Sequence, residues 1–369
     1  MLTEKKLKII HTEASPHWGG QEIRIFEEMK WFREQGHEMI LVAPNNGTLY
    51  QRSRDKGFEV ISIYFTKPRI LLNILKMLWL AWWKKPDVVA THSSTDSWAG
   101  LIAAKILGIK KCVRYRHVST PVKENLLNKW QYKILSNLVI TTGECISKPL
   151  TKSFLLPENK VITIPTPISP PFQMMGREEA KVMLQRKFRV DSDTRFIGQV
   201  SVLRSWKGHS FLIEAFNEIA DYIPKLNLVL VGSGPIEEKL KTLVLKSEFS
   251  ERIQLVGHKE NPWPYFRAFE ITVLASTKNE GIPQSLLQSM YAQTPVIGTN
   301  TGGIPEIICN SSTGLICNKA DSQTLAKAIL RLLRNHRLQE EFSKNAHDFV
   351  IEKFNWNELG LQIEKKFMR

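Results

Sequence analysis

Ser276-Thr277-Lys278-Asn279-Glu280-Gly281-Ile282-Pro283-Gln284-Ser285-Leu286-Leu287-Gln288-Ser289-Met290 follows the short apolar run at residues 271–275 without a break. That run is rich in β-branched residues and lacks polar alternation, which suits a strand covered on both faces. Pro283 suits the first turn of a helix, where no amide partner is lost. The stretch therefore reads as strand, turn, helix. The amides of Ile282, Gln284 and Ser285 then point out of the helix start and form a ready anion site, apt for a diphosphate. Glu280, just before it, can accept hydrogen bonds from ligand hydroxyls. Taken alone, the segment also reads as an ordinary core helix opened by proline.

The same unit recurs along the chain. Short apolar runs lie at residues 7–10, 39–43, 60–65, 87–91, 112–115, 138–142 and 161–165. A second series lies at 196–202, 226–231, 253–256, 271–275, 295–298 and 314–317. Helical stretches separate most of them. Two such series predict an α/β protein of two Rossmann-like, doubly wound domains. Pro165-Thr166-Pro167-Ile168-Ser169-Pro170-Pro171 is a stiff, extended connector between them, because proline locks φ and removes a donor. The expected division is 1–168, 169–345, and a terminal helical segment, 346–369, that could pack back on the first domain. The tail reads as two helices broken near Phe354-Asn355-Trp356-Asn357, with Asn355 or Asn357 capping the last.

A chain of 369 residues with 43% hydrophobic and 24% charged residues has room for two ordinary cores. The N-terminus lacks the apolar core of a signal peptide. Cys112, Cys145, Cys309 and Cys317 are scattered, which argues against a disulfide framework or zinc site and for a reducing cytoplasm. The net charge of +15 is uneven: residues 1–172 hold 25 Lys+Arg against 14 Asp+Glu. A basic first half suggests a polyanionic partner, or simply a basic surface.

Three further turns in the second half resemble ligand loops. Ser201-Val202-Leu203-Arg204-Ser205-Trp206-Lys207-Gly208-His209 places two cations after a strand, where they could neutralise phosphates on a leaving group. Val231-Gly232-Ser233-Gly234-Pro235 allows close backbone approach but lacks the third glycine of a dinucleotide fingerprint. Thr301-Gly302-Gly303-Ile304-Pro305-Glu306 is another tight strand-to-helix turn. In the first half, Trp18-Gly19-Gly20 follows the first strand. The run Cys112-Val113-Arg114-Tyr115-Arg116-His117 ends a later strand with two arginines that could grip phosphate or carboxylate. His92 ends the strand before it. No Asp-x-Asp metal motif stands out, and Asp96 is isolated.

These turns, in this order, resemble the retaining family 4 glycosyltransferases, most strongly from Val200 to Glu306. The resemblance implies the GT-B fold, with two Rossmann-like domains facing a central cleft. It implies transfer of a sugar from a UDP- or GDP-linked donor to a glycan or lipid-linked acceptor, in bacterial surface polysaccharide or lipopolysaccharide synthesis. Glu280 would hold donor-sugar hydroxyls, and the amides of Gly281, Ile282, Pro283's neighbour Gln284 and Ser285 would hold the diphosphate. Lys207 would bind phosphates, and the turn Val256-Gly257-His258-Lys259 would sit by the nucleobase, with Gly234 near the donor. Gly19 and Gly20 would border the donor phosphates. Trp18, Arg114 and Arg116 would face the acceptor, and His117 the donor sugar. No cofactor or metal is implied. Two positions depart from the family: Gln288 stands where a second glutamate is usual, and Val202 where an arginine is common. Arg204 is the candidate replacement for that arginine, with Arg114 or Arg116 the other choices.

The apolar run at residues 70–83 is too short for a bilayer span, which needs about 20 apolar residues. It reads mainly as a buried crossover helix. Trp79, Trp82 and Trp83 beside Lys84-Lys85, with Arg52, Arg54, Lys56, Lys67 and Arg69 nearby, also suit peripheral contact with the inner face of a cytoplasmic membrane. Three rival functions remain: a nucleotide-sugar epimerase of the same fold, a non-enzymatic module for anionic lipid or nucleic acid, and a nicotinamide dehydrogenase, against which no Gly-x-Gly-x-x-Gly follows the first strand. The clustered phosphate-type turns speak against the second, and nucleic acid is not expected as a partner.

Overall fold

A computed structural model describes residues 5–369. The first sheet contains seven strands: β1 (Lys8–Thr12), β2 (Glu38–Ala43), β3 (Glu59–Ser62), β4 (Val88–Thr91), β5 (Lys111–Arg116), β6 (Leu138–Thr141) and β7 (Val161–Thr163). The second contains β8 (Arg195–Val200), β9 (Leu226–Val231), β10 (Ile253–Leu255), β11 (Ile271–Leu274), β12 (Val296–Thr299) and β13 (Leu315–Cys317). The orders are β3-β2-β1-β4-β5-β6-β7 and β10-β9-β8-β11-β12-β13. Every pairing is parallel. Each sheet runs outward in two directions from its first strand, the doubly wound pattern.

Burial explains why the strand runs are so uniformly apolar. All four residues of β4, β6, β11 and β12 are buried, as are all six of β9. Helices cover both faces, so no face of these strands needs polar residues.

The chain forms two compact units. One is the chain up to Pro167 together with Asn355–Arg369; the other is Ile168–Phe354. The segment that rejoins the first unit therefore starts at Asn355 and not at 346. The helix His336–Lys353 stays with the second unit because Ala346, Val350 and Phe354 pack with Leu274, Leu286 and Ile304. Asn355 then caps the last helix, Trp356–Met368, by accepting a bond from the Glu358 amide at 2.9 Å. That helix packs on the helix Gly20–Glu34. Phe367 stacks on Phe32 with centroids 5.5 Å apart, and Gly360 lies against the Trp31 ring. The His37 ring joins Glu364 at 2.6 Å and accepts a bond from the Leu7 amide at 3.0 Å.

The helix Ile70–Lys84 is the crossover between β3 and β4, but it is not mainly buried. Only Asn73, Met77, Leu80 and Ala81 are inside. Asn73 interrupts the apolar run because its amide donates to the Tyr64 carbonyl at 3.0 Å. Leu71, Leu75, Trp79 and Trp82 remain 62–76% exposed. Among the described residues no helix is long and apolar enough to cross a membrane. The four cysteines carry free thiols.

Candidate functional site

The four turns picked out in the second half follow β8, β9, β11 and β12, which are consecutive in the sheet. Their carboxyl ends therefore bring the turns together. The order reverses between β8 and β11, and that switch point is where an open parallel sheet leaves a crevice for a ligand. Lys207 comes from the turn after β8 and Glu280 from the turn after β11. Lys207 Nζ reaches Glu280 Oε1 at 2.6 Å, and Ser276 Oγ donates to the same oxygen at 2.5 Å. Glu280 is buried and Lys207 half-buried.

Backbone contacts lock these turns to one another. The Thr277 amide donates to the Trp206 carbonyl at 2.7 Å, and Gln199 Nε2 donates to the Lys207 carbonyl at 2.9 Å. Thr299 Oγ1 donates to the Ser276 carbonyl at 2.5 Å. Two glycines are required. At Gly208, φ is +70° and a Cβ would lie 1.8 Å from the Ala275 carbonyl oxygen; at Gly302, φ is +55° and a Cβ would lie 2.2 Å from that of Glu280. Only a residue without a side chain fits such positions.

The helix Gln284–Tyr291 starts one residue later than the sequence suggested. Pro283 is its cap, in extended conformation at φ −76° and ψ 112°, and not its first-turn residue. The physical reason is local: the amides of Leu286 and Leu287 both close on the Pro283 carbonyl, at 3.2 and 3.4 Å. Gly281, Ile282, Gln284, Ser285 and Gln288 are half-buried around this start. Gly234 packs its backbone against Leu203, and the Gly232 amide donates to the Gly257 carbonyl at 3.0 Å, which brings His258 and Lys259 beside that turn. Arg204 is exposed, with its guanidinium 5.0 Å from the Trp206 ring centre, and Val202 is exposed too. The Lys207 amide donates to the Arg204 carbonyl at 2.9 Å, which holds the two cations on one turn. His209 is buried, its Nε2 3.0 Å from Ser201 Oγ, and burial with nearby Lys207 lowers its pKa to about 3.

The first unit has its own switch point, between β1 and β4. Gly19 caps the helix Gly20–Glu34, and its amide donates to Glu22 at 2.9 Å. Glu13, after β1, accepts from the amides of Ala14 and Ser15 at 2.8 Å, from Gln21 at 2.5 Å, and from Ser93. Asp96 accepts from Thr12 Oγ1 at 2.6 Å and the His92 amide at 3.0 Å. Burial, reinforced by Glu13, pushes both Glu22 and Asp96 up to about 7. Trp18 is half-buried, edge-on to Phe26 and beneath the Arg52 guanidinium at 4.4 Å.

Arg114 is buried, and its Nη1 donates to the carbonyls of His92 and Tyr115 at 2.7 and 2.6 Å. Arg116 is half-buried and donates to the Thr120 carbonyl. Both arginines line a cavity of about 390 Å³ with Ser94, Asn128, Gln131 and Tyr132. No carboxylate is among its lining residues. His117 and His92 are in contact, Nε2 to Nδ1, at 3.0 Å. Sequence reading missed His11, Glu13 and Glu28 and left Asp96 isolated. The available signal was strand order: β1, β4 and β5 are adjacent, so residues at their ends are neighbours. Among the described residues no group of three or more His, Cys, Asp or Glu could hold a metal ion.

Two Rossmann-like sheets in one chain, the second carrying interlocked turns with a Lys–Glu pair at its switch point, have the architecture of a GT-B glycosyltransferase. Family models match both parts: Glycosyltransferase Family 4 over residues 18–171 and Glycosyl transferases group 1 over residues 183–349. The chain belongs to the family 4, group 1 glycosyltransferases. An uncharacterized glycosyltransferase of Methanocaldococcus jannaschii is 26% identical over 99% of this chain and 98% of its own. A glycosyltransferase from Rickettsia africae has a similar structure, with a TM-score of 0.87, 22% identity and 99% of each chain covered. HepE of Anabaena, solved with UDP and glucose, has a TM-score of 0.82 and 17% identity over 98% of this chain and 99% of its own.

Proposed function

We propose that this glycosyltransferase takes its sugar from a UDP- or GDP-linked donor, retains the anomeric configuration, and needs no metal. The Lys207–Glu280 pair at the β8/β11 switch point carries the reading. A donor diphosphate would draw Lys207 away from Glu280, and the freed carboxylate would then accept hydrogen bonds from the sugar. Lys207, with Arg204 and the amides at the start of Gln284–Tyr291, would stabilise charge on the leaving diphosphate. Gly234, His258, Lys259 and Gln288 would line the nucleotide. In such a site the acceptor hydroxyl attacks from the leaving-group face and gives its proton to a donor phosphate oxygen, so no side-chain nucleophile is required. HepE, solved with UDP and glucose, supports a UDP-linked donor.

The acceptor is assigned to the first unit, with Arg116 and the cavity beside it holding an anionic group on a glycan or lipid-linked substrate, as in bacterial surface polysaccharide synthesis. The exposed face of Ile70–Lys84 supports peripheral membrane contact, with exposed Lys67, Arg69, Lys76 and Lys85 drawing it to anionic lipid. A thermal-shift screen against UDP, GDP and ADP tests the donor reading. One nucleotide should raise the midpoint of the wild type and should fail to do so in Lys207→Ala. No shift with any of the three, or an equal shift in the variant, would refute it.

A further inference from the structure

Three histidines of the first unit form a continuous chain through its interior. His117 Nε2 is 3.0 Å from His92 Nδ1, and His92 Nε2 is 2.9 Å from His11 Nδ1. The rings are stacked, with centroids 5.3 and 5.1 Å apart, and Tyr115 stacks on His92 at 4.4 Å. At the inner end His11 Nε2 has no hydrogen-bond partner among the described residues and faces Glu28 Oε1 at 3.9 Å. Glu28 accepts from Tyr115 Oη at 2.5 Å and from Arg24 Nε at 3.4 Å. The hydrogen-bonded chain runs from buried His11, which faces Glu28, to half-buried His117, beyond β5.

The arrangement restricts where protons sit. A neutral imidazole has one N–H and one lone pair, so each contact in the chain fixes the next. Burial pushes all three histidines below the ordinary imidazole value, His11 to about 3. Arg24 adds to this for all three; Arg114 adds for His92 and His117, and Arg116 for His117. Burial also raises the Glu28 carboxyl, while Arg24 and the Tyr115 hydroxyl hold it down. The Arg24 and Tyr115 donors both point at Glu28, so the Glu28 oxygens act as acceptors. At 3.9 Å the Glu28 oxygens are too far for a hydrogen bond, but as acceptors they still favour the His11 tautomer with its proton on Nε2, which offers Nδ1 as acceptor. His92 must donate from Nε2 and accept at Nδ1. His117 must donate from Nε2, which leaves its Nδ1 unprotonated.

We propose that His11, His92 and Glu28 are positioning residues that hold His117 as one neutral tautomer, with Nδ1 as a hydrogen-bond acceptor for a sugar hydroxyl. That role for His117 rests on the glycosyltransferase reading above; the proton wiring does not. A site wired in this way selects a hydroxyl donor and not an anion.

Nitrogen-15 NMR of histidine-labelled protein, together with two variants at position 92, tests the proposal. In the wild type His117 should be a single Nε2–H tautomer from pH 5 to pH 8. His92→Gln keeps an acceptor and a donor at nearly the spacing of the ring nitrogens, so it should preserve that tautomer and keep turnover within about threefold. His92→Phe keeps the stacking surface but breaks the chain. It should give a tautomer mixture at His117 and lose about tenfold or more in turnover. If His92 serves only for packing, phenylalanine should do at least as well as glutamine, and that ranking would overturn the proposal. So would a protonated or Nδ1–H His117 in the wild type. Melting curves of both variants identify any loss due to unfolding. If the spectra agree but turnover follows neither variant, the role for His117 falls while the nucleotide-binding screen still decides the donor reading.

Discussion

Gly208 offers the sharpest test of how the turns at the second unit's switch point are built. Alanine there would place a Cβ 1.8 Å from the Ala275 carbonyl oxygen, where ordinary contact begins at 3.4 Å. The turn must therefore retreat by about 1.6 Å, and Lys207 is its neighbour in the chain. If Lys207 acts as proposed, misplacing it by about 1 Å should cost about a hundredfold in rate. Positive φ adds about 1–2 kcal/mol of strain for a residue with a side chain. With the displaced packing, a total of about 2–3 kcal/mol is expected, which lowers the melting midpoint by about 5–10 °C for a unit of this size. Gly57→Ala is the control: φ is +74°, but nothing lies within 4 Å of the added methyl. It should lose about 1 kcal/mol and no turnover. The assay is nucleotide release at saturating donor, beside calorimetric melting of both variants. Full turnover in Gly208→Ala, or equal melting losses in the two variants, would refute this account of the turn.

Gly360→Ala would place a methyl 2.6 Å from the Trp31 ring. It should loosen the last helix and destabilise the first unit by about 2–3 kcal/mol, read as faster amide exchange in Gly20–Glu34 and Trp356–Met368. Burial, reinforced by nearby Glu13, pushes the Glu22 carboxyl up to about 7 from the ordinary carboxylate range. A carboxyl raised in this way favours folding at low pH, so its contribution declines as pH rises from about 5 to 7. Glu22→Gln should flatten that decline by roughly 1–3 kcal/mol, measured as the difference in denaturant midpoints at pH 5 and pH 8; an unchanged slope would argue against the buried-carboxyl account. Replacing Trp79 and Trp82 together by serine should leave the melting midpoint nearly unchanged while reducing flotation with anionic vesicles severalfold. Equal flotation by wild type and variant would remove the membrane reading.

The thirteen strand runs were all legible in sequence, because parallel strands covered on both faces leave uninterrupted apolar stretches. The interlocked turns of the second unit were legible for a related reason: glycine and proline mark places where backbone must turn tightly, and Gly208 and Gly302 prove to be such places. Faces were harder to read. The segment at residues 70–84 is apolar nearly all round, so periodicity could not say that Leu71, Leu75, Trp79 and Trp82 would remain outside. The histidine chain was the least visible. His11, His92 and His117 share no motif, being 81 and 25 residues apart, and only the order of β1, β4 and β5 makes them neighbours.

The return of Trp356–Met368 to the first unit affects how the protein is made on a ribosome. Ile168–Phe354 has its full complement of residues before the last helix has been translated. The earlier unit must wait, with Trp31 and Phe32 lacking their covering, until Gly360 and Phe367 have emerged. The half that is synthesised first is thus finished last, and a nascent chain halted near residue 354 would expose an aromatic patch to chaperones and proteases.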